Sequence, residues 1–171
     1  MARRTDTFEL GRLGLGAGEA RSLDLDVGLE PLEFAGERYE PQEGVVPANL
    51  DVARTGGGYS LRLRFAARLV GPCARCLTDA NLVVEADARE VDQPGGGEDL
   101  ESPYLAGDEL DLRGWARDAL ALSLPARILC RDDCRGLCPE CGVDLNEADA
   151  GHAHEMPPDP RWARLSDLKL E

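Results

Sequence analysis

The chain has 171 residues, of which 43% are hydrophobic and 30% charged, and its net charge is −14 at neutral pH. This length supports one domain with room for a small appended segment. No apolar run approaches the length of a membrane span, and the first residues carry charge without an apolar stretch, so we expect neither a membrane protein nor a secretory signal. The negative charge, taken alone, argues against a nucleic-acid binder.

The first half of the chain shows the two-residue alternation of β-strands. Residues 22–27 alternate apolar and polar side chains, as a half-buried strand does. Residues 50–54 and 59–69 flank three consecutive glycines, which predicts a hairpin. Residues 81–91 predict a further antiparallel strand, with the turn at residues 71–76.

Five arginines lie between residues 51 and 79, where the sequence has no acid, whereas residues 85–111 have ten acids and one arginine. On a strand, Arg62, Arg64 and Arg68 share the face opposite the apolar side chains. Two interpretations stay open: solvated faces of opposite sign, or a basic surface kept for a polyanion on an otherwise repulsive protein. The candidate RNA or partner surface consists of Arg62, Arg64, Arg68 and Arg75.

Helical spacing is clearest at residues 111–124, where Leu112, Trp115 and Ala119 share one face and Pro125 ends the helix. We expect Trp115 to belong to the core. The preceding residues 92–107 predict an acidic, glycine-rich loop that is partly disordered. Asp159 and Pro160 predict the start of a short C-terminal helix.

These elements predict an α+β fold that is mainly β. We expect an antiparallel meander or a partly open barrel with one packed helix and a C-terminal zinc-knuckle segment. Residues 1–128 would form the β-rich part with its helix, and residues 129–171 the Cys/His segment and short helix packed on it.

Six cysteines and two histidines carry the clearest chemical signal. Two Cys-x2-Cys pairs have the spacing with which a tight turn directs two thiolates at one ion. In Cys138-Pro-Glu-Cys141-Gly142, the glycine accepts a positive φ, as a zinc knuckle requires. We expect one or two Zn²⁺ ions in closed structural sites. Site one would contain Cys73, Cys76, Cys130 and Cys134, and site two Cys138, Cys141, His152 and His154.

Other readings of these residues stay open. An even number of cysteines also fits disulfides, although a reducing cytoplasm favours free thiols as ligands. A rubredoxin-like iron site uses similar knuckles, normally with a glycine after each, but Leu77 follows Cys76. His152 and His154 also fit a pair of exposed histidines in a polar tail.

The sequence does not favour an enzyme. Pro72-Cys73-Ala-Arg-Cys76 matches half of the zinc deaminase signature, but no histidine precedes His152 to supply the other half. The dithiol lies between strands and not at a helix N-terminus, and we find no phosphate-binding loop. We therefore expect no catalytic residues and no small-molecule substrate.

Three segments together resemble a known family. They are the strand followed by Cys73-Ala-Arg-Cys76-Leu77, the tail from Cys130 to Asn146, and residues 159–165. They are similar to those of the large ribosomal RNA subunit accumulation protein (YceD) family. The resemblance implies a cytoplasmic bacterial protein that supports 23S ribosomal RNA accumulation and large-subunit assembly. Many relatives have Cys-x-Cys where this chain has His152-Ala-His154, an exchange of ligand types that a metal site tolerates.

Three functions follow from these observations. The first is a non-enzymatic ribosome-biogenesis factor that acts through ribosomal RNA or through a ribosomal or assembly protein. The second is an acidic, zinc-stapled adaptor whose partner is a basic protein, which suits a charge of −14. The third is a thiol- or metal-sensing regulator.

Overall fold

The computed structural model describes residues 4–154. The described residues are mainly β, with one α-helix, as the sequence predicts. The helix predicted from Asp159 and Pro160 lies outside the described residues. The strands are β1 (Arg4–Thr5), β2 (Thr7–Glu9), β3 (Ala20–Gly28), β4 (Leu32–Phe34), β5 (Glu37–Pro41), β6 (Val45–Arg54), β7 (Tyr59–Pro72), β8 (Asp79–Asp92), β9 (Leu105–Ala106) and β10 (Glu109–Asp111); the helix is α1 (Leu112–Leu122), and Leu10–Leu13 and Glu98–Leu100 form 3-10 turns.

The main sheet is a curled half-barrel of seven strands within the described residues, with β7 at its centre. One side of β7 pairs with β6 and, further along, with β5, while the other side pairs with β8 over its whole length. The β6–β7 hairpin turns at the three glycines, which confirms that prediction. β3 adds antiparallel to β6, and β1 adds parallel to β3.

The inner face of the half-barrel holds the main core. Alternate β7 residues from Tyr59 to Leu69 are buried, and α1 packs against them. Asp111 caps α1 by accepting a hydrogen bond of 2.9 Å from the N–H of Gly114. Trp115 is buried in this core, as predicted, and stacks on Tyr104. Burial of the apolar face of α1 therefore closes the concave side of the sheet.

A small second sheet, ordered β2–β10–β9, leads into α1. β10 pairs with β2 through Leu110 and Phe8, so the start of the described chain is joined to the segment before the helix. The acidic loop contains the Glu98–Leu100 turn and β9. No helix within residues 4–154 is long and apolar enough to cross a membrane.

A second apolar cluster lies at the tip of the β7–β8 hairpin. Tyr39 of β5 packs there, and its hydroxyl donates to the carbonyl of Pro72 at 2.9 Å. Ile128, in the segment after α1, is buried in the same cluster. Residues 128–138 thus fold back onto the hairpin tip. A domain boundary at residue 128 stays a prediction.

Candidate metal centre

The β7–β8 hairpin tip presents Cys73 and Cys76 from one tight turn. Cys73 donates its N–H to the carbonyl of Thr78 at 2.8 Å, and Leu77 donates to the carbonyl of Cys73 at 3.0 Å. Leu77 has a φ of 63°, a left-handed conformation that glycine usually supplies. The knuckle therefore forms here with a leucine at some cost in backbone strain, about 1–2 kcal/mol.

The segment after α1 is held against this turn by its backbone. Ala74 donates to the carbonyl of Ile128 at 2.8 Å, and Leu137 donates to that of Arg75 at 3.1 Å. The guanidinium of Arg75 donates to the carbonyl of Cys134 at 2.6 Å. Gly136, with a φ of 77°, comes so close that an added Cβ would lie 3.0 Å from the carbonyl oxygen of Arg75.

These contacts bring the four thiols of site one together, with all four Sγ atoms within 4.8 Å of one another. The Sγ atoms of Cys73 and Cys134 are 3.8 Å apart, and those of Cys76 and Cys130 are 3.5 Å apart. Thiolates around one tetrahedral zinc ion stand about 3.8 Å apart, since each Zn–S bond is about 2.3 Å long. The thiols of site one can therefore hold a metal ion, and all of them are free cysteines.

Hydrogen-bond donors surround the sulfurs of site one. The N–H of Arg75 donates to Sγ of Cys73 at 3.4 Å, and the side-chain amide of Asn146 donates to Sγ of Cys134 at 3.5 Å. The Thr78 hydroxyl lies 3.0 Å from Sγ of Cys76. Such partners orient metal ligands and stabilise thiolates.

The thiols of Cys73 and Cys130 differ in their tendency to ionise. Burial raises the pKa of Cys73, but hydrogen bonds from the backbone of Cys76, Arg75 and Cys130 outweigh it and lower the pKa to about 6. At Cys130, burial and then the neighbouring thiols raise the pKa to about 12. A bound cation would favour the thiolate form of each ligand, because metal ligands must be deprotonated.

Site two forms around the Cys138–Cys141 turn. Gly142, with a φ of 73°, donates to the carbonyl of Cys138 at 2.8 Å, which closes the knuckle. Nε2 of His152 and Nε2 of His154 lie 3.5 Å and 3.3 Å from Sγ of Cys141, and 3.2 Å from each other. All four donor atoms lie within 4.8 Å of one another.

The two sites differ in exposure. Three of the four cysteines of site one are buried, whereas Cys141 and His154 of site two are exposed. A hydrogen bond from His152, and then the N–H groups of Cys141 and Glu140, lower the pKa of Cys138 to about 6. Site one is therefore enclosed by the protein, while site two opens to solvent.

Asn146 supports site one, a role that sequence reasoning missed. Besides its bond to Cys134, its side-chain oxygen accepts from the N–H of Arg135 at 2.8 Å and from Arg131 at 2.9 Å. Asp144 accepts from its amide at 2.6 Å. The run Gly-Val-Asp-Leu-Asn after Cys141 was a family signature in the sequence, but only the fold shows what Asn146 contacts.

The four arginines of the candidate partner surface have different surroundings. Arg62 makes a two-pronged ion pair with Asp87 at 2.7 Å and 2.6 Å, and Arg64 contacts Asp51 at 2.8 Å. Arg68 is exposed, and its side chain has no ion pair or hydrogen bond among the described residues. Three of the arginines do share the outer sheet face as predicted, but neighbouring carboxylates balance two of them.

Comparison with known protein families identifies the family of this chain. Residues 61–169 match the model of the large ribosomal RNA subunit accumulation protein YceD. The chain belongs to this family. Membership confirms the resemblance that the cysteine motifs indicate. The name of the YceD family refers to the RNA of the large ribosomal subunit.

Several mycobacterial proteins are similar to this chain. Proteins of Mycobacterium bovis and Mycobacterium tuberculosis, both described as uncharacterized, are 33% identical over 169 residues, which is 95% of this chain and 80% of theirs. A Mycobacterium leprae protein is 34% identical over 109 residues, 60% of this chain and 49% of its own. No solved structure matches this chain.

Proposed function

We propose that this chain is a non-enzymatic, cytoplasmic factor that supports 23S ribosomal RNA accumulation and assembly of the large ribosomal subunit. The observation that carries this proposal is the YceD family match, which spans all eight metal-type donors from Cys73 to His154. Free thiols grouped as ligands suit a reducing cytoplasm.

We propose zinc as the metal of both sites. Thiolates and imidazoles are the ligands that zinc takes in structural sites, and the distances between donor atoms suit a tetrahedral ion. Four protein ligands leave no position for a reacting water, which supports a structural role and a non-enzymatic protein. Elemental analysis of the purified protein should find two zinc ions per chain; iron or no metal would contradict the assignment.

The ions would hold residues 129–154 rigidly on the β-rich part. Site one draws ligands from the hairpin tip, Cys73 and Cys76, and from the segment after α1, Cys130 and Cys134. Its ion would therefore join two distant parts of the chain, as cross-links do. On this basis residues 1–128 form a β-rich unit and residues 129–171 a metal-stabilised unit packed on it.

Genetic depletion tests the role in ribosome assembly. Deleting the gene in its bacterial host should lower 23S relative to 16S ribosomal RNA and reduce the large-subunit peak in sucrose gradients. The wild-type gene and a Val143→Ser control, which changes an exposed neighbour of site two, should restore both. Cys73→Ser should not. Unchanged 23S ribosomal RNA and subunit profiles in the deletion strain would refute the proposal.

Contact with ribosomal RNA is one candidate mode of action. Arg68 has no side-chain partner among residues 4–154 and can meet a phosphate directly, while Arg62 and Arg64 would first have to leave Asp87 and Asp51. If this face binds RNA, replacing all three arginines by serine should lower the dependence of affinity on salt by about three units of slope. An unchanged slope would eliminate this surface.

A basic protein partner is the second candidate, and the ion pairs of Arg62 and Arg64 favour it because they leave the outer face without a strong positive field. The charge of −14 points the same way. Pulldown of the tagged protein with and without ribonuclease separates the two modes. Ribosomal proteins retained after ribonuclease treatment support the adaptor, and their complete loss supports RNA contact.

Exposure of Cys141 favours a third candidate, a thiol- or metal-sensing regulator. An exposed, metal-bound thiolate is more open to oxidants than the thiols of site one, three of which are buried. Mild peroxide should then release one ion per chain, and a reductant with added zinc should restore it. Retention of both ions under peroxide would remove this candidate.

A further inference from the structure

The outer edge of β8 is a long strand edge with no partner strand among residues 4–154. Cys73, the residue after β7, donates its N–H to the carbonyl of Thr78, the residue before β8. On the other side of β7, the carbonyl of Arg68 accepts from the N–H of Gln42. Because hydrogen-bonding direction alternates along an antiparallel ladder, the even-numbered residues of β8 bond to β7. The N–H and C=O groups of its odd-numbered residues point away from the sheet.

In the part of the chain that the structure describes, these odd-numbered groups are free over most of the strand. No backbone hydrogen bond within the described residues reaches the outward groups from Asn81 to Val91. The free edge ends at Gln93, whose N–H donates to the carbonyl of Leu100 at 2.7 Å. Every odd-numbered side chain from residue 81 to residue 91 is exposed. A stretch of about 30 Å can therefore accept another strand.

We propose that this edge pairs antiparallel with the β8 edge of a second copy of the chain, about a two-fold axis at Asp87. In this register Val83 faces Val91 of the second copy, and Glu85 faces Arg89 of the second copy. Symmetry repeats both pairs. The complementary pattern of apolar, acidic and basic side chains is what selects a second copy as the occupant.

The side chains that would pair are exposed. Val83 is 58% exposed and Val91 50% exposed, which places them among the most exposed large hydrophobic residues described. Within the described residues, neither Glu85 nor Arg89 has a side-chain hydrogen bond or ion pair. Pairing with a second copy would cover both valines and neutralise both charges.

At the axis, Asp87 of each copy would face its counterpart. Each carboxylate is already held by two hydrogen bonds from Arg62 of its own chain, at 2.7 Å and 2.6 Å. The centre would therefore contain two carboxylates and two guanidiniums, without net charge. About ten backbone hydrogen bonds would join the copies, a number typical of specific interfaces.

Neighbouring registers fit less well. A shift one way sets Glu85 against Asp87 of the second copy, which brings acids together twice. A shift the other way sets Val83 against Gln93, whose N–H is already taken by Leu100. Charges on an edge usually keep strands apart, and here only the register centred on Asp87 matches both the charged and the apolar pairs.

Charge reversal tests this interface. Sedimentation equilibrium at 0.15 M salt, which screens the repulsion between two chains of charge −14, should show a dimer of the full chain. Arg89→Glu and Glu85→Arg should each weaken the dimer by about tenfold, because each creates two like-charged pairs. The double variant E85R/R89E should restore it. Arg68→Glu is the matched control: it changes the net charge as Arg89→Glu does, on the same face but away from the edge.

Amide hydrogen exchange followed by NMR gives a second readout, independent of any variant. The amides of residues 83, 85, 87, 89 and 91 should become protected as protein concentration rises, while those of even-numbered β8 residues stay protected throughout. If the protein is still monomeric at about 100 times the lowest concentration used for hydrogen exchange, a range that covers weak dimers, the proposal is wrong. A dimer that the E85R/R89E pair fails to rescue would also overturn it.

Discussion

Arg75 donates from its guanidinium to the backbone carbonyl of Cys134, 2.6 Å away, and so links the hairpin tip to the segment that leads from site one to site two. Cys134 belongs to site one, and Cys138, four residues later, belongs to site two. Arg75 also supplies the carbonyl that Leu137 bonds to and the N–H that faces Cys73. A role for Arg75 in partner binding stays a prediction.

Arg75→Ala should lower the free energy of unfolding by about 1–2 kcal/mol, since it removes a hydrogen bond from a charged donor to a partly buried carbonyl. Arg68→Ala removes a guanidinium without a side-chain partner among the described residues and should leave stability nearly unchanged. Urea denaturation followed by circular dichroism measures both. Equal losses for the two variants would show that the Arg75 contact is not significant for stability.

Gly136→Ala should destabilise the protein more than Gly142→Ala. Both glycines have a φ near +75°, at 77° and 73°, so both substitutions carry the same backbone penalty of about 1–2 kcal/mol. Only at Gly136 would the added Cβ crowd another group, the carbonyl oxygen of Arg75 at 3.0 Å. Thermal denaturation should give the lower midpoint for Gly136→Ala; the reverse order would contradict the close packing of the two segments.

Limited chelation should remove the ion of site two first. Cys141 and His154 are exposed, whereas Cys73 and Cys134 are at most 1% exposed. Metal content should therefore fall from two to one ion per chain before the sheet unfolds. Cys141→Ser should begin at one ion and keep it under the same chelator, and Val143→Ser should behave as wild type. Simultaneous loss of both ions would show that the sites empty as one unit.

Alkaline pH should destabilise the protein partly through Tyr104. Burial, and then the hydrogen bond from its hydroxyl to Asp118, raise the pKa of Tyr104 to about 12 from the ordinary 10.0. The folded state therefore favours the neutral phenol. The contribution of Tyr104 to the free energy of unfolding is complete below pH 10 and is lost as pH rises towards 12. Tyr104→Phe should show a shallower fall in urea midpoint over that range.

Burial also raises the pKa of Tyr39 and of Tyr59, so some alkaline loss should remain in the Tyr104→Phe variant. A variant with the same pH dependence as wild type would show that Tyr104 ionises freely in the folded protein.

Local patterns predicted most of the fold. The alternation along residues 59–69 gave a buried face and an arginine face, and the three glycines gave the hairpin. Asp111 and Pro125 bounded the helix within a few residues of Leu112–Leu122. Pairings between distant segments could not be predicted in this way: β2 with β10, or β5 with the far end of β7, depend on how the chain closes and not on local period.

For the candidate site, spacing grouped the eight donors into the same two sets that the structure brings within 4.8 Å. Metal binding by them stays a prediction. The ion-pair partners of the arginines could not be predicted from the sequence, because the contact of Arg62 with Asp87 depends on the β7–β8 register. The left-handed conformation of Leu77 could not be predicted either, because a positive φ is usually found at a glycine.

The two faces of β7 have opposite surroundings: one lies in the core beneath α1, and the other is exposed to solvent. A saturation scan along Tyr59–Pro72 would therefore sort by parity. Odd positions would report on whether the polypeptide reaches its native state at all, whereas even positions would report on which molecules it meets afterwards. Substitutions at every second residue of this one strand could therefore change the binding partners of the protein without altering its core.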